Sequence, residues 1–171
     1  MAIVENTLEY TQNNTERDLT FTQDAFHRGN FHALQPKSRG NRSGMDALLL
    51  AASMPQNITG SVADLGSGAG VAGLALISLN ENVNVLCVER NSEMAELARK
   101  TRLLSENSHL RDRIRVLEAD VTLTGEDRKN AGLETDSVDH LIMNPPYNCK
   151  NIRAPQDAMR EEAFMMAQGG L

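Results

Sequence analysis

Beyond residue 60 the chain alternates short apolar runs with stretches whose apolar residues return every three or four positions. Val62-Ala63-Asp64-Leu65 reads as a buried strand that ends near an acid and breaks into Gly66-Ser67-Gly68-Ala69-Gly70. Val71 to Leu79 is apolar nearly all round, which predicts a helix wedged between a sheet and its neighbours, and Asn80-Glu81-Asn82 stops it. Val83-Asn84-Val85-Leu86-Cys87-Val88 is a second strand, ending in Glu89. Met94, Leu97, Ala98 and Thr101 then mark the inner stripe of a helix whose outer face carries Glu93, Glu96, Arg99, Lys100 and Arg102. Ile114-Arg115-Val116-Leu117 gives a third strand, running into Glu118-Ala119-Asp120. Val138-Asp139-His140-Leu141-Ile142-Met143 gives a fourth, running into Asn144-Pro145-Pro146-Tyr147. This alternation predicts an α/β fold with a parallel sheet, right-handed crossovers, and ligands bound at the C-terminal ends of the strands.

The N-terminal part has a different texture. Residues 1–18 are polar and without period, which predicts a flexible arm. Leu19-Thr20-Phe21-Thr22, Ala25-Phe26-His27 and Phe31-His32-Ala33-Leu34-Gln35 read as short strands around Arg28-Gly29-Asn30, a small β appendage over 19–42. Ser43-Gly44-Met45-Asp46 looks like a helix start, with Ser43 as N-cap and Asp46 reaching back; Met45, Leu48, Leu49 and Ala52 follow at helical spacing. The remainder, 43–171, is read as one domain. Arg28, Lys37, Arg39 and Arg42 fall between Ala25 and Met45 with no acid among them. The residues alone leave open whether these cations are simply solvated or meet phosphates.

Composition narrows the class. At 171 residues and 40% hydrophobic, one domain with a real core is expected. With 4% aromatic residues and no Trp, that core rests on Leu, Ile, Val, Ala and Met, which suits a sheet covered by helices. A formal charge of -6 argues against non-specific polyanion binding by the whole surface, though not against a local patch. No apolar run approaches the roughly 18 residues of a membrane span, and no basic segment precedes an apolar one at the N-terminus, so a cytoplasmic location without membrane attachment is expected. Two cysteines and four scattered histidines give no metal-ligand spacing, and no metal is expected. Oligomeric state is not legible.

The glycine loop admits two readings. Gly68-Ala69-Gly70-Val71-Ala72-Gly73 fits the dinucleotide fingerprint, with Glu89 about twenty residues on, as in a nicotinamide-dependent oxidoreductase. Yet the glycines begin at Gly66, Asp64 precedes them, and Asp120 follows the third strand, none of which belongs to that pattern. Together with Asn144-Pro145-Pro146-Tyr147, these motifs resemble the class I S-adenosylmethionine-dependent methyltransferases, which have a Rossmann-like sheet. The resemblance implies that Asp64, Gly66, Ser67, Gly68 and Gly70 hold the methionine part of S-adenosylmethionine, that Glu89 binds the ribose hydroxyls, and that Asp120 meets the adenine amino group. A ribose diol needs a bidentate acceptor, which a carboxylate is.

The Asn-Pro-Pro-Tyr string is the most specific. Its prolines fix an extended loop and donate no N–H, so the Asn144 side-chain carbonyl and the Pro145 carbonyl can face one amino group. Such an amine is a poor nucleophile, because its lone pair is delocalised; two accepted hydrogen bonds favour the pyramidal nitrogen that attacks a methyl. Asn144, Pro145 and Tyr147 are thus the candidate catalytic residues, with Pro146 and Tyr147 also against the substrate and Tyr147 offering a face for a stacked base. Amino-group methyltransferases of DNA, RNA and protein glutamine share this motif.

Thr22-Gln23-Asp24-Ala25-Phe26, Leu34-Gln35-Pro36-Lys37 and the string from Ser43 to Ala52 resemble bacterial tRNA adenine-N6 methyltransferases, which modify adenosine 37 of a valine tRNA. This implies a tRNA partner and makes Lys37, Arg39 and Arg42 an RNA-facing, substrate-binding set, with Lys150 and Arg153 as additions. Methylation of protein glutamine or of another nucleic-acid amine, nicotinamide chemistry, and an inactive cofactor-binding remnant stay open as alternatives. The resemblance also implies seven strands where four are placed. The domain is therefore expected to be C-terminally incomplete, its Leu141-Ile142-Met143 strand an exposed apolar edge.

Overall fold

Residues 20–37 and 42–145 are described by the structure, a computed structural model. The arm expected over 1–18 lies outside them, as do Arg39, Pro146, Tyr147, Cys149, Lys150 and Arg153. In chain order the elements are strands β1 (Phe21–Phe26) and β2 (Phe31–Pro36), helix α1 (Met45–Ser53), β3 (Gly60–Leu65), α2 (Val71–Leu79), β4 (Val83–Glu89), α3 (Ser92–Arg102), β5 (Ile114–Glu118), α4 (Gly125–Asn130) and β6 (His140–Met143).

Strands β3 to β6 form one parallel sheet in the order β5-β4-β3-β6. The register sets Val62 beside Val85 and His140, Asp64 beside Cys87 and Ile142, and Val85 beside Ile114. Because strand side chains alternate between faces, Val62, Val85, Cys87, Ile114 and Ile142 share one face, and they join a single core with α1 and α2. Helix α2 is buried from Val71 through Ile77, as its all-round apolarity predicts. On the opposite face Leu65, Leu86, Val88 and Leu117 pack with Leu133, just past α4, a short polar helix without a hydrophobic period. The strand β6 pairs only with β3 among the described residues. Its edge is not uniformly exposed: Leu141 is 61% and Met143 40% exposed, whereas Ile142 faces the core and is buried.

Two expectations about α1 need correction. Its N-cap is Gly44, not Ser43, and has no side-chain cap bond; Ser43 N–H donates instead to Gln35 Oε1 at 2.7 Å. Its buried residues are Ala47 and Ala51, while Met45 and Leu49 are exposed. The small alanines let α1 lie close on α2; Leu48 and Leu50 pack half-buried against the same core, and Met45 and Leu49 turn outward.

The expected N-terminal β appendage is a two-stranded hairpin that packs into the main core. The strands β1 and β2 pair antiparallel from Phe21 opposite Pro36 to Phe26 opposite Phe31, and those last two rings stack at 5.3 Å. Phe31 and Ala33 are fully buried and belong to the same core as α2. Asn107 locks the hairpin in place: its Oδ1 accepts from His32 N–H, and its Nδ2 donates to the carbonyls of His32 and Thr101, at 2.7–2.9 Å. Thr101 Oγ1 accepts from Leu34 N–H at 2.9 Å. A buried amide with three partners cannot be removed without stranding them. Asn107→Ala is therefore expected to lower the unfolding free energy by about 2–4 kcal/mol, read by chemical denaturation.

Candidate functional site

The parallel register brings the expected residues to one edge. Leu65 lies beside Val88 and Met143, and Glu89 beside Glu118, so the glycine loop, Glu89, Asp120 and Asn144 all leave their strands at the same end of the sheet. Acidic side chains gather there, Glu89 and Asp120 at the edge and Asp64 buried beneath it.

The loop is held by its backbone. Gly66 and Ser67 N–H donate to the Val88 carbonyl at 2.8 and 3.1 Å, and Gly70 N–H donates to the Ser67 carbonyl at 2.9 Å. Gly66, at φ 69°, sits where a side chain would be strained, and beside it there is open space. Ser67 is buried, and Gly68 and Gly70 also take left-handed backbone angles.

Beneath the loop lies Asp64, buried at 2% exposure, with Oδ2 accepting from Gly73 N–H at 3.0 Å. It therefore reaches the first turn of α2. Burial, partly offset by the Gly73 bond and reinforced by the nearby Glu89 charge, pushes its carboxyl up from 3.8 to about 7. Gly73 is small for a reason: a Cβ there would come within 2.9 Å of Val85 and 3.0 Å of Cys87. The Cys87 thiol is pushed well up, first by burial and then by the Asp64 charge, so it is an inert core group.

Glu89 is fixed on both sides. Its Oε2 accepts from Gly68 N–H and its Oε1 from Asn91 N–H, each at 2.8 Å. A carboxylate has about four lone-pair sites, so both oxygens keep acceptor capacity. Asp120 Oδ1 accepts from the N–H and hydroxyl of Thr122 at 2.8 and 2.7 Å, while Oδ2 lies 3.7 Å from Arg90. The Thr122 backbone bond leads in holding its carboxyl below the ordinary range.

Asn144 meets a residue that no local pattern links to it: its Nδ2 donates to Asp46 Oδ2, on the first turn of α1. Pro145 follows, half-buried. Of the basic set, Lys37 is exposed, and Arg42 is engaged within the hairpin. Its guanidinium donates to Thr22 Oγ1 and the Pro36 carbonyl at 3.0 Å and pairs with Asp24 at 2.5 Å. The acid-free window in sequence thus acquires an acid in space, because β1 carries Asp24 alongside. Among the described residues no group of His, Cys, Asp or Glu is arranged to hold a metal ion, and no helix is long and apolar enough to cross a membrane.

The buried Asp64 has a pH consequence. The folded protein keeps up to about pH 7 a proton that the unfolded chain releases near 3.8, so this group makes stability fall as pH rises across that interval, with no further loss above it. Asp64→Asn, whose side-chain carbonyl can still accept from Gly73, is expected to remove that loss. Its urea midpoint should gain on the wild type progressively between about pH 4 and 7.

Comparison with known proteins places the fold and the family. The family model described as the methyltransferase small domain matches residues 42–170. A tRNA1(Val) (adenine(37)-N6)-methyltransferase of a Flavobacteriaceae bacterium is 30% identical over 106 residues, which is 62% of this chain and 41% of that protein. Ribosomal RNA large subunit methyltransferase G of Klebsiella pneumoniae is 31% identical over 109 residues, 63% of this chain and 27% of that one. The chain therefore spans less than half the length of these curated relatives. A crystal structure of a predicted O-methyltransferase from Agrobacterium tumefaciens superposes with a TM-score of 0.57 at 48% identity, covering 60% of this chain and 50% of that one. Its sheet of parallel strands flanked by helices is thus the Rossmann-like methyltransferase fold, and with three quarters of its length matched by one family model, the chain belongs to the methyltransferase small domain family.

Proposed function

We propose that this chain binds S-adenosylmethionine over the glycine loop and directs its methyl group to an exocyclic amino nitrogen, the N6 of an adenine in tRNA, in the cytoplasm. The observation that carries the reading is the neighbourhood of Asn144 and the loop: Leu65 and Met143 are register partners, so Asn144 and Gly66 leave adjacent strands together. The residues fit the ligand. Open space lies beside Gly66, and Glu89 is immobilised by two backbone N–H groups with acceptor sites to spare for a ribose diol. Asp120, ionised and held by Thr122, is the acceptor for the adenine amino group. An acidic edge also favours a cationic ligand.

Bound S-adenosylmethionine supplies an electrophilic methyl on a sulfonium. The chain supplies orientation: Asn144 Oδ1 and the Pro145 carbonyl accept the two N–H bonds of the target amine and aim its lone pair at the methyl. S-adenosylmethionine, held by the glycine loop, Glu89 and Asp120, would supply the methyl group, and the nitrogen held by Asn144 and Pro145 would release its extra proton to solvent. Tyr147, beyond the described residues, is the stacking partner for the base in this reading. An RNA substrate is favoured because both curated relatives are named for RNA methylation, and the second of them makes ribosomal RNA the alternative to tRNA.

Calorimetry is expected to show S-adenosylmethionine binding in preference to NAD, and Glu89→Ala to weaken it about 10- to 100-fold, the loss of charge-assisted hydrogen bonds. Preferential NAD binding would falsify the reading. Labelled methyl transfer to unmodified tRNA against ribosomal RNA then selects the substrate. Lys37→Ala with Arg39→Ala is expected to weaken tRNA binding and lower its salt slope by about 1–2 while sparing cofactor affinity. Arg42 is left out of that pair because it holds the hairpin together.

A further inference from the structure

Asp46 stands on α1, 98 residues before Asn144 in sequence, yet its carboxylate touches both the start of its own helix and the candidate catalytic amide. Oδ1 accepts from Gly44 N–H at 3.0 Å, and Oδ2 accepts from Asn144 Nδ2. We propose that Asp46 is a positioning residue that fixes which way the Asn144 amide faces, turning Oδ1 toward the substrate amine. The proposal rests on the amino-methyltransferase reading of this site.

The reasoning is one of donors and acceptors. An asparagine amide has two nearly isosteric ends, one donating and one accepting, and rotation by about 180° exchanges them. With Nδ2 forward, the amide would meet an amino group donor to donor and could not accept its N–H. An ionised carboxylate only accepts, so it binds the Nδ2 end alone and leaves Oδ1 for the substrate. A hydroxyl at position 46, which both donates and accepts, would tolerate either orientation. The carboxyl stays ionised in the required range. Burial pushes it up, but the Asn144 amide and the backbone N–H groups of Gly44 and Ala47 outweigh this and hold it below 3.8. The pair is solvent-accessible, so its contribution is orientation and not bulk stability.

The decisive variant changes one atom. Asp46→Asn keeps an oxygen for Gly44 N–H but presents an NH2 group to Asn144, which then turns its own Oδ1 toward position 46 and its NH2 toward the substrate. Nitrogen-15 NMR of the 171-residue chain reads this directly, the Asn144 side-chain signals being assigned by their loss in Asn144→Asp. Wild type is expected to show one Asn144 amide proton shifted downfield and slowed in exchange, and Asp46→Asn to lose both features. In methyl transfer, kcat is expected to fall roughly 100-fold, with affinity for S-adenosylmethionine and the thermal midpoint unchanged.

Asn144 amide signals that do not move in Asp46→Asn overturn the contact, whatever the enzyme does. Signals that move while kcat stays at the wild-type value overturn the positioning role. A wild type that methylates no amino substrate overturns the reading of the site, and the role assigned to Asp46 falls with it. Wild-type activity thus tells the two failures apart.

Discussion

The parallel pairing of β3 with β4 and β6 is the constraint on which the site depends. Parallel strands point the same way, so everything that follows a strand's last residue emerges at one edge of the sheet. Leu65 beside Val88 and Met143 fixes where the glycines turn, where Glu89 stands and where Asn144 begins. Slipping any one strand by a residue would reverse its faces, sending core residues such as Cys87 or Ile142 to the other side of the sheet. The hydrophobic pattern that builds the core therefore also sets the spacing of the polar groups at its edge.

Beneath that edge, close packing gives the loop its shape. Asp64 sits under the loop, accepting from Gly73, and Gly73 in turn leaves no room for a methyl group against Val85 and Cys87. A helix thus approaches the sheet closely enough for a buried carboxyl to reach its first turn. Ser67 and Gly68, above, are tied to the next strand through the Val88 carbonyl and the Glu89 carboxylate. Glu89 is accordingly part of the loop's framework, with acceptor capacity left on both oxygens.

The hairpin shows how tertiary context changes the meaning of charge. Arg28, Lys37, Arg39 and Arg42 read as a cationic cluster in sequence, but antiparallel pairing puts Asp24 against Arg42, so that exposed cation is already matched by an acid. Phe31 and Ala33, meanwhile, enter the main core, which makes the hairpin a structural wall of the domain. Asn107 completes that wall, its side-chain amide bonding the His32 N–H and carbonyl as the backbone of a neighbouring strand would.

Much of this molecule is legible locally. The bounds of α2, the strand from Val83 to Glu89, the buried stripe of α3 and the acids at strand ends follow from runs and periods, because burial selects apolar residues at intervals that secondary structure dictates. The glycine loop and the Asn-Pro string were equally visible, since each needs particular residues at consecutive positions. What only the tertiary structure decided are contacts between distant positions. The alanine face of α1, the pairing of Arg42 with Asp24, the anchoring by Asn107, and the hydrogen bond from Asn144 to Asp46 all join residues with no shared period. A sequence encodes which faces of its elements are apolar; which polar groups then meet across those faces is settled only when the elements pack.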